Sequence, residues 1–293
     1  KTVKCAMELA NWKKYVKGKT VFIKTNLLIK TVVPGQCTSP WVIEGIIKVL
    51  KENNKTIYIG DANVATAKQV EAAAKNWGIM DLCKEYNIKF INLSKQETKK
   101  VRLNGKIFKY VDIPKILTEV DSIITAPVLK THFIHGMTCA LKNQWGCLPR
   151  SRQQLHMVIK EAIPEINKAL KINFAVADAT ICLEGNGPVN GIPKIINSIF
   201  ASNDLVALDA MAADFIGLKK ENIGYIKYAE EIGLGSTKYK VIGDKLSPIE
   251  FIPAKINQSL IVNIEMKLRK IPLISNLIFK TAIFKIPAFL ASR

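Results

Sequence analysis

The chain has 293 residues, 48% of them hydrophobic and 8% aromatic, which argues against disorder and supplies a large buried core. Its 43 Lys and Arg against 24 Asp and Glu leave a formal charge of +19, so acidic partners are favoured: nucleic acid, anionic lipid or small anions. Much of the excess is lysine on expected helix faces (Lys13, Lys14, Lys48, Lys51, Lys55), where a solvated surface explains it, and the absence of a nucleic-acid motif argues against a nucleic-acid groove. None of the six cysteines forms a C-x-x-C pair, which argues against an iron–sulfur cluster or zinc ribbon within this chain and for reduced thiols in a cytoplasmic setting. The chain opens at Lys1 rather than methionine, leaving room for an upstream segment, and shows no secretory signal.

Taken in order, short β-branched runs predict strands at 20–24, 56–60, 88–93, 121–125, 173–178, 197–202 and 239–243. Between the first two, Thr38 or Ser39 can cap a helix with Pro40 in its first turn and Ile43, Ile46, Ile47 and Leu50 on one face. Further helices are expected near 66–76, 153–170, 204–216 and 222–232. Asn104-Gly105 between β-rich arms at 98–110 reads as an antiparallel hairpin insertion. The alternation predicts an α/β fold over 1–248, one domain or two packed lobes: a mostly parallel sheet covered by helices. Residues 249–293 are expected to form a basic, apolar tail.

Polar residues gather where strands end. The first expected strand leads to Lys24, Asn26 and the Thr38-Ser39-Pro40 helix start; the second to Asp61 and Asn63; the fourth to Lys130, Thr131 and His132; the fifth to Asp178 and Glu184-Gly185-Asn186-Gly187-Pro188; the sixth to Asn203 and Asp204. In open parallel sheets ligands bind beyond the carboxyl ends of the strands. Lys24, Lys130 and Lys142 are ammonium donors for an anion, and the free N–H groups and dipole at Thr38 and Ser39 suit phosphate or carboxylate. Asn26, Asn143, Gly185 and Gly187 complete the expected ligand contacts, the glycines by permitting close backbone approach. Taken singly, Lys24 and Lys130 are each an ordinary strand-end lysine in water, and the glycine pair a plain tight turn.

All three histidines, His132, His135 and His156, fall in one short stretch. His132 with Lys130 and Lys142 is the expected catalytic group, as acid or base; His132 with Asp178 and Glu184 is the expected ligand set for a divalent metal. The spacing matches no tight metal motif, and a histidine held by hydrogen bonds near the surface is the competing explanation.

An ordered set of motifs resembles the family of conserved proteins grouped as domain of unknown function 362, from about Lys24 to Gly217. The set comprises Lys24-Thr25-Asn26-Leu27-Leu28, where the family usually has proline at the Thr25 position, then Thr38-Ser39-Pro40, Ile59-Gly60-Asp61 and Pro127-Val128-Leu129-Lys130-Thr131-His132. It continues with Leu141-Lys142-Asn143-Gln144-Trp145-Gly146, Glu184-Gly185-Asn186-Gly187-Pro188 and Ala201-Ser202-Asn203-Asp204 through Ala207-Leu208-Asp209. Many relatives carry ferredoxin-type modules, so the resemblance implies redox- or metal-linked chemistry; lacking that cysteine spacing, this chain would need a separate iron–sulfur or redox partner. A remote likeness to the lactate racemase-type α/β fold implies a fold and no cofactor.

In the tail, residues 263–293 carry six cations and one acid, and the longest charge-free run, 271–279, is shorter than the roughly 20 residues that span a bilayer. A basic amphipathic segment on an anionic membrane surface, through 259–293, competes with packing on the chain's own core or on a second subunit as a homodimer. Three functions follow: an enzyme binding a small anionic metabolite with or without a divalent metal; a non-catalytic redox-partner, maturation or membrane-docked accessory protein; and nucleic-acid binding through the basic surface.

Overall fold

A computed structural model describes residues 1–64, 68–148, 152, 155, 158–245 and 247–254. His156, Arg150 and the tail segment 259–293 lie outside the described residues. The strands are β1 (Thr20–Lys24), β2 (Thr56–Asp61), β3 (Lys89–Asn92), β4 (Thr98–Arg102), β5 (Tyr110–Pro114), β6 (Ser122–Thr125), β7 (Val128–His132), β8 (Gly136–Thr138), β9 (Phe174–Asn186) and β10 (Asn190–Ser202). The first helices are α1 (Thr2–Leu9), α2 (Trp12–Tyr15), α3 (Pro40–Glu52), α4 (Val70–Asn76) and α5 (Ile79–Glu85). They are followed by α6 (Ile116–Glu119), α7 (Ala140–Asn143), α8 (Ile159–Leu170), α9 (Leu205–Phe215) and α10 (Gly224–Glu231).

β3, β2, β1, β6 and β9 run parallel in that order, with β7 also parallel to β9. β6 and β7 follow one another across Ala126-Pro127: Thr125 pairs with Ala175, and three residues later Val128 pairs with Asp178. β8 folds back antiparallel on β7, and β10 folds back on β9. Residues of β1 alternate between two cores: Val21 and Ile23 join α1 and α3 on one face, while Phe22 joins α8 and α9 on the other. Burial on both faces is why these strands read as continuous apolar runs. The expected hairpin is present as the separate pair β4–β5, its loop fixed by Glu165, which accepts N–H bonds from Lys106, Ile107 and Phe108.

The structure corrects the strand expected at 239–243. That stretch is irregular surface chain with Val241 and Ile242 exposed, and among the described residues no strand pairs with it to take up its backbone hydrogen bonds. The chain packs on the domain through Ile252: Ile249 and Phe251 donate backbone N–H bonds to Phe215 and Ile216 on the α9 side.

The strand order positions the site. From β1 the chain moves outward through β2 to β3, then returns to place β6 on the other side of β1. The carboxyl ends of β1 and β6 therefore flank a reversal of winding, the place where ligand crevices form in open α/β sheets.

Candidate functional site

Lys24 ends β1 inside the protein, 1% exposed, and forms a 2.6 Å ion pair with Asp61 at the end of β2. Asp61 also accepts from the N–H groups of Leu27 (2.8 Å) and Ala62 (2.7 Å). Gly146 closes over the pair: a Cβ there would stand 3.1 Å from Lys24 Nζ. A lysine so matched by an acid joins the ends of β1 and β2 and leaves little charge for a ligand.

Lys130 is different. It lies on β7, 2% exposed, and its Nζ donates to Asn26 Oδ1 (2.6 Å) and the Gln36 carbonyl (2.5 Å), both neutral acceptors. Burial pushes its pKa down to about 8, Lys24 adding to the effect while Cys37 and Asp61 oppose it. Lys142, on α7, is half-buried, and among the described residues its Nζ has neither ion pair nor hydrogen bond. Burial, then repulsion from Lys130 and Arg152, brings its pKa down to about 7. Two ammonium groups thus share one electrostatic neighbourhood without an acid of their own.

Other expected residues meet here but spend their polar atoms on the protein. Thr38 accepts from Asn26 N (2.9 Å) and donates to the Ala126 carbonyl (2.6 Å). Asn143 accepts from Asn26 Nδ2 (3.1 Å) and donates to Thr125 Oγ1 (2.8 Å) and the Thr25 carbonyl (3.2 Å). The anion expected at the start of α3 is supplied by the chain itself: Asp178 Oδ2 accepts from Ser39 N at 2.8 Å, and its other oxygen from Thr180 N (2.9 Å) and Oγ1 (2.6 Å). A carboxylate is stabilised at that end of the helix dipole.

Glu184 binds Lys194 (2.7 Å) and Ile252 N (3.0 Å), clamping the last described segment to the β9–β10 hairpin. Gly185 adopts φ +74, and a Cβ on Gly187 would stand 2.2 Å from the Thr131 carbonyl, so the turn presses directly on β7. His132 is 6% exposed, its Nδ1 accepting from Ile134 N (3.2 Å) and its ring stacked on Phe133 (5.2 Å between centroids). His135 instead lines a pocket of about 170 Å³ beside the β7–β8 turn, with Ile134, Lys160 and Tyr225. Among the described residues no three His, Cys, Asp or Glu side chains gather closely enough to hold a metal ion, so His132, Asp178 and Glu184 do not converge.

Sequence reasoning gave no site role to Thr125, Gln144 and Asn167, which form a buried polar chain, or to Asp209, whose carboxylate accepts from Ala140 N (2.7 Å) and Leu141 N (3.1 Å) and so holds the start of α7. Burial raises the Asp209 pKa to about 7. The available signal was a polar residue at an apolar position in an otherwise buried helix, as Asn167 is in α8 and Asp209 in α9.

A family model described as "Domain of unknown function (DUF362)" matches residues 21–214. The chain belongs to this family. Lys24, Asn26, Asp61, Lys130, Lys142 and Asn143 all lie inside the match. A curated relative, "Thylakoid-associated protein sll1697" of Synechocystis sp. (strain ATCC 27184 / PCC 6803 / Kazusa), is 25% identical over 244 residues, 80% of this chain and 74% of the relative. Among solved structures, the lactate racemase apoprotein from Thermoanaerobacterium thermosaccharolyticum matches with a TM-score of 0.52 and 15% identity, over 73% of this chain and 54% of the racemase. At that identity the likeness shows the fold: the α/β architecture of this family domain is shared with about half of an enzyme. No helix of the described residues is long and apolar enough to cross a membrane.

Proposed function

We propose that the protein is an enzyme that binds a small anionic metabolite beyond the carboxyl ends of β1 and β6, where the winding of the sheet reverses. Lys130 and Lys142 supply the positive charge, Asn26 aligns Lys130, and His132, two residues along β7 from Lys130, is the proton-transfer group. The observation that carries this reading is that buried Lys130 has only neutral hydrogen-bond acceptors and half-buried Lys142 has no ion pair among the described residues, whereas Lys24 has Asp61. A buried charge without a partner is costly, and an anionic ligand between the two lysines removes that cost. In this reading Asp178 and Glu184 serve the fold, engaged by Ser39, Thr180, Lys194 and Ile252.

The test is thermal denaturation at neutral pH with a panel of inorganic phosphate and small mono- and dicarboxylates. At least one is expected to raise the melting temperature of the wild type and to leave Lys130→Met and Lys142→Met unmoved. An equal response in all three proteins overturns the proposal.

A second reading, a membrane-docked accessory role, draws on the thylakoid association for which the Synechocystis relative is named and on the net positive charge of 263–293. It predicts that the full chain sediments with anionic vesicles and that deletion of 259–293 abolishes this. Retained sedimentation after the deletion counts against it.

A further inference from the structure

From Lys130 an unbroken line of side-chain hydrogen bonds runs into the interior. Lys130 Nζ donates to Asn26 Oδ1 (2.6 Å), Asn26 Nδ2 to Asn143 Oδ1 (3.1 Å), and Asn143 Nδ2 to Thr125 Oγ1 (2.8 Å). The Thr125 hydroxyl then donates to Gln144 Oε1 (2.8 Å), and Gln144 Nε2 to Asn167 Oδ1 (3.0 Å). Asn167 Nδ2 ends the line on the backbone carbonyls of Leu141 and Ile163, both at 2.8 Å. Every bond points the same way, from the lysine on β7 to the interior of α8.

The direction is forced. Asn167 must turn its NH₂ toward two carbonyls, which can only accept, so its oxygen faces Gln144. Gln144 must then present its NH₂, which also meets the Ala140 carbonyl at 2.6 Å. Its oxygen takes the one proton Thr125 can give, so Thr125 accepts from Asn143, whose NH₂ also faces the Thr25 carbonyl. Asn143 and Asn26 are thereby oriented with an oxygen toward the next donor, and the last oxygen meets Lys130. Of the linking side chains, Thr125 and Gln144 are fully buried and Asn143 and Asn167 nearly so; in so dry a setting aligned hydrogen bonds polarise one another, and each amide dipole turns its negative end toward the ammonium group.

We propose that Thr125, Gln144 and Asn167 are positioning residues that act through Asn143 and Asn26 to hold the Lys130 ammonium group in place and in its charged form. The functional meaning rests on the anion-binding reading above; the physical claim stands on the chain of bonds alone. It gives two residues remote from the crevice, Gln144 and Asn167, a say in how strongly an anion is held.

The experiment follows the Lys130 titration by nuclear magnetic resonance in full-length protein labelled at lysine Cε, without any ligand, the signal assigned by its loss in Lys130→Met. Thr125→Val removes the central hydroxyl at nearly constant shape, Asn167→Leu cuts the far end, and Thr125→Ser keeps the hydroxyl. In Thr125→Val and Asn167→Leu the Lys130 midpoint is expected to fall by about half a pH unit or more, and in Thr125→Ser to stay at the wild-type value. A purely structural role lowers the melting temperature and leaves the midpoint where it was; that result, in whichever of the two variants folds, overturns the proposal. The same proteins are then titrated with inorganic phosphate and the small carboxylates. A shifted midpoint with no anion bound by the wild type sinks the functional reading and leaves the positioning chain standing.

Discussion

Replacing Lys142 by methionine removes a cation that the fold holds out of water without compensation. Its pKa falls from the ordinary 10.5 to about 7 in the folded chain. For a fully buried group that displacement is worth about 5 kcal/mol, and because Lys142 keeps part of its surface in solvent, screening reduces it to about 2 kcal/mol. The sign follows from proton counts. Between the folded and unfolded pKa values the unfolded chain holds the extra proton, so this group's contribution improves as pH rises from about 7 towards 10.5, and its full penalty applies below 7. Methionine keeps the apolar stem and loses the charge. Urea denaturation of both proteins should therefore show Lys142→Met more stable by about 2 kcal/mol near pH 6 and the difference gone near pH 10. A difference independent of pH, or a variant less stable near pH 6, refutes the reasoning.

Asp61→Asn leaves Lys24 buried without its acid and should cost about 3 to 5 kcal/mol, read as a large fall in melting temperature. Asp209 has its pKa raised from 3.8 to about 7, so its contribution to stability is full below the unfolded value and lost as pH rises through the folded one; denaturation of Asp209→Asn against wild type should shift in the variant's favour between about pH 4 and 7. Glu165→Gln weakens the anchor of the β4–β5 loop, and amide exchange at residues 106–108 should quicken roughly tenfold while the Lys130 midpoint stays unchanged.

What could be read from the sequence divides along the line between local pattern and partner choice. β1, β2 and the α3 face of Ile43, Ile46, Ile47 and Leu50 are legible because each element carries its own periodicity. The 239–243 run carries the same β-branched pattern and fails, since pattern does not say whether an edge is available. β7 was hidden because Pro127 breaks one line of chain into two strands, and β9 was cut short at Asp178, where its pairing with β7 slips.

The site shows the same division. Lys130, Asn26 and Asn143 are joined by hydrogen bonds, but residue type alone could not tell Lys24, matched by Asp61, from Lys130, which has only neutral acceptors. Nor could it show that Asp178, offered as a metal ligand, closes the helix start that had been reserved for a foreign anion. Acceptors within one sheet are settled by three-dimensional pairing, and Thr125, Gln144 and Asn167 look like ordinary polar residues until their bonds are traced.

The central claim is that an anion completes the charge of Lys130 and Lys142. Titration calorimetry of the best-binding small anion, near pH 8 in two buffers of different ionisation heat, tests it most directly. Because a bound anion stabilises the charged lysines, the account predicts net proton uptake on binding and an affinity that falls as pH rises past about 8. Binding without proton exchange, or binding retained when both lysines are replaced by methionine, contradicts it.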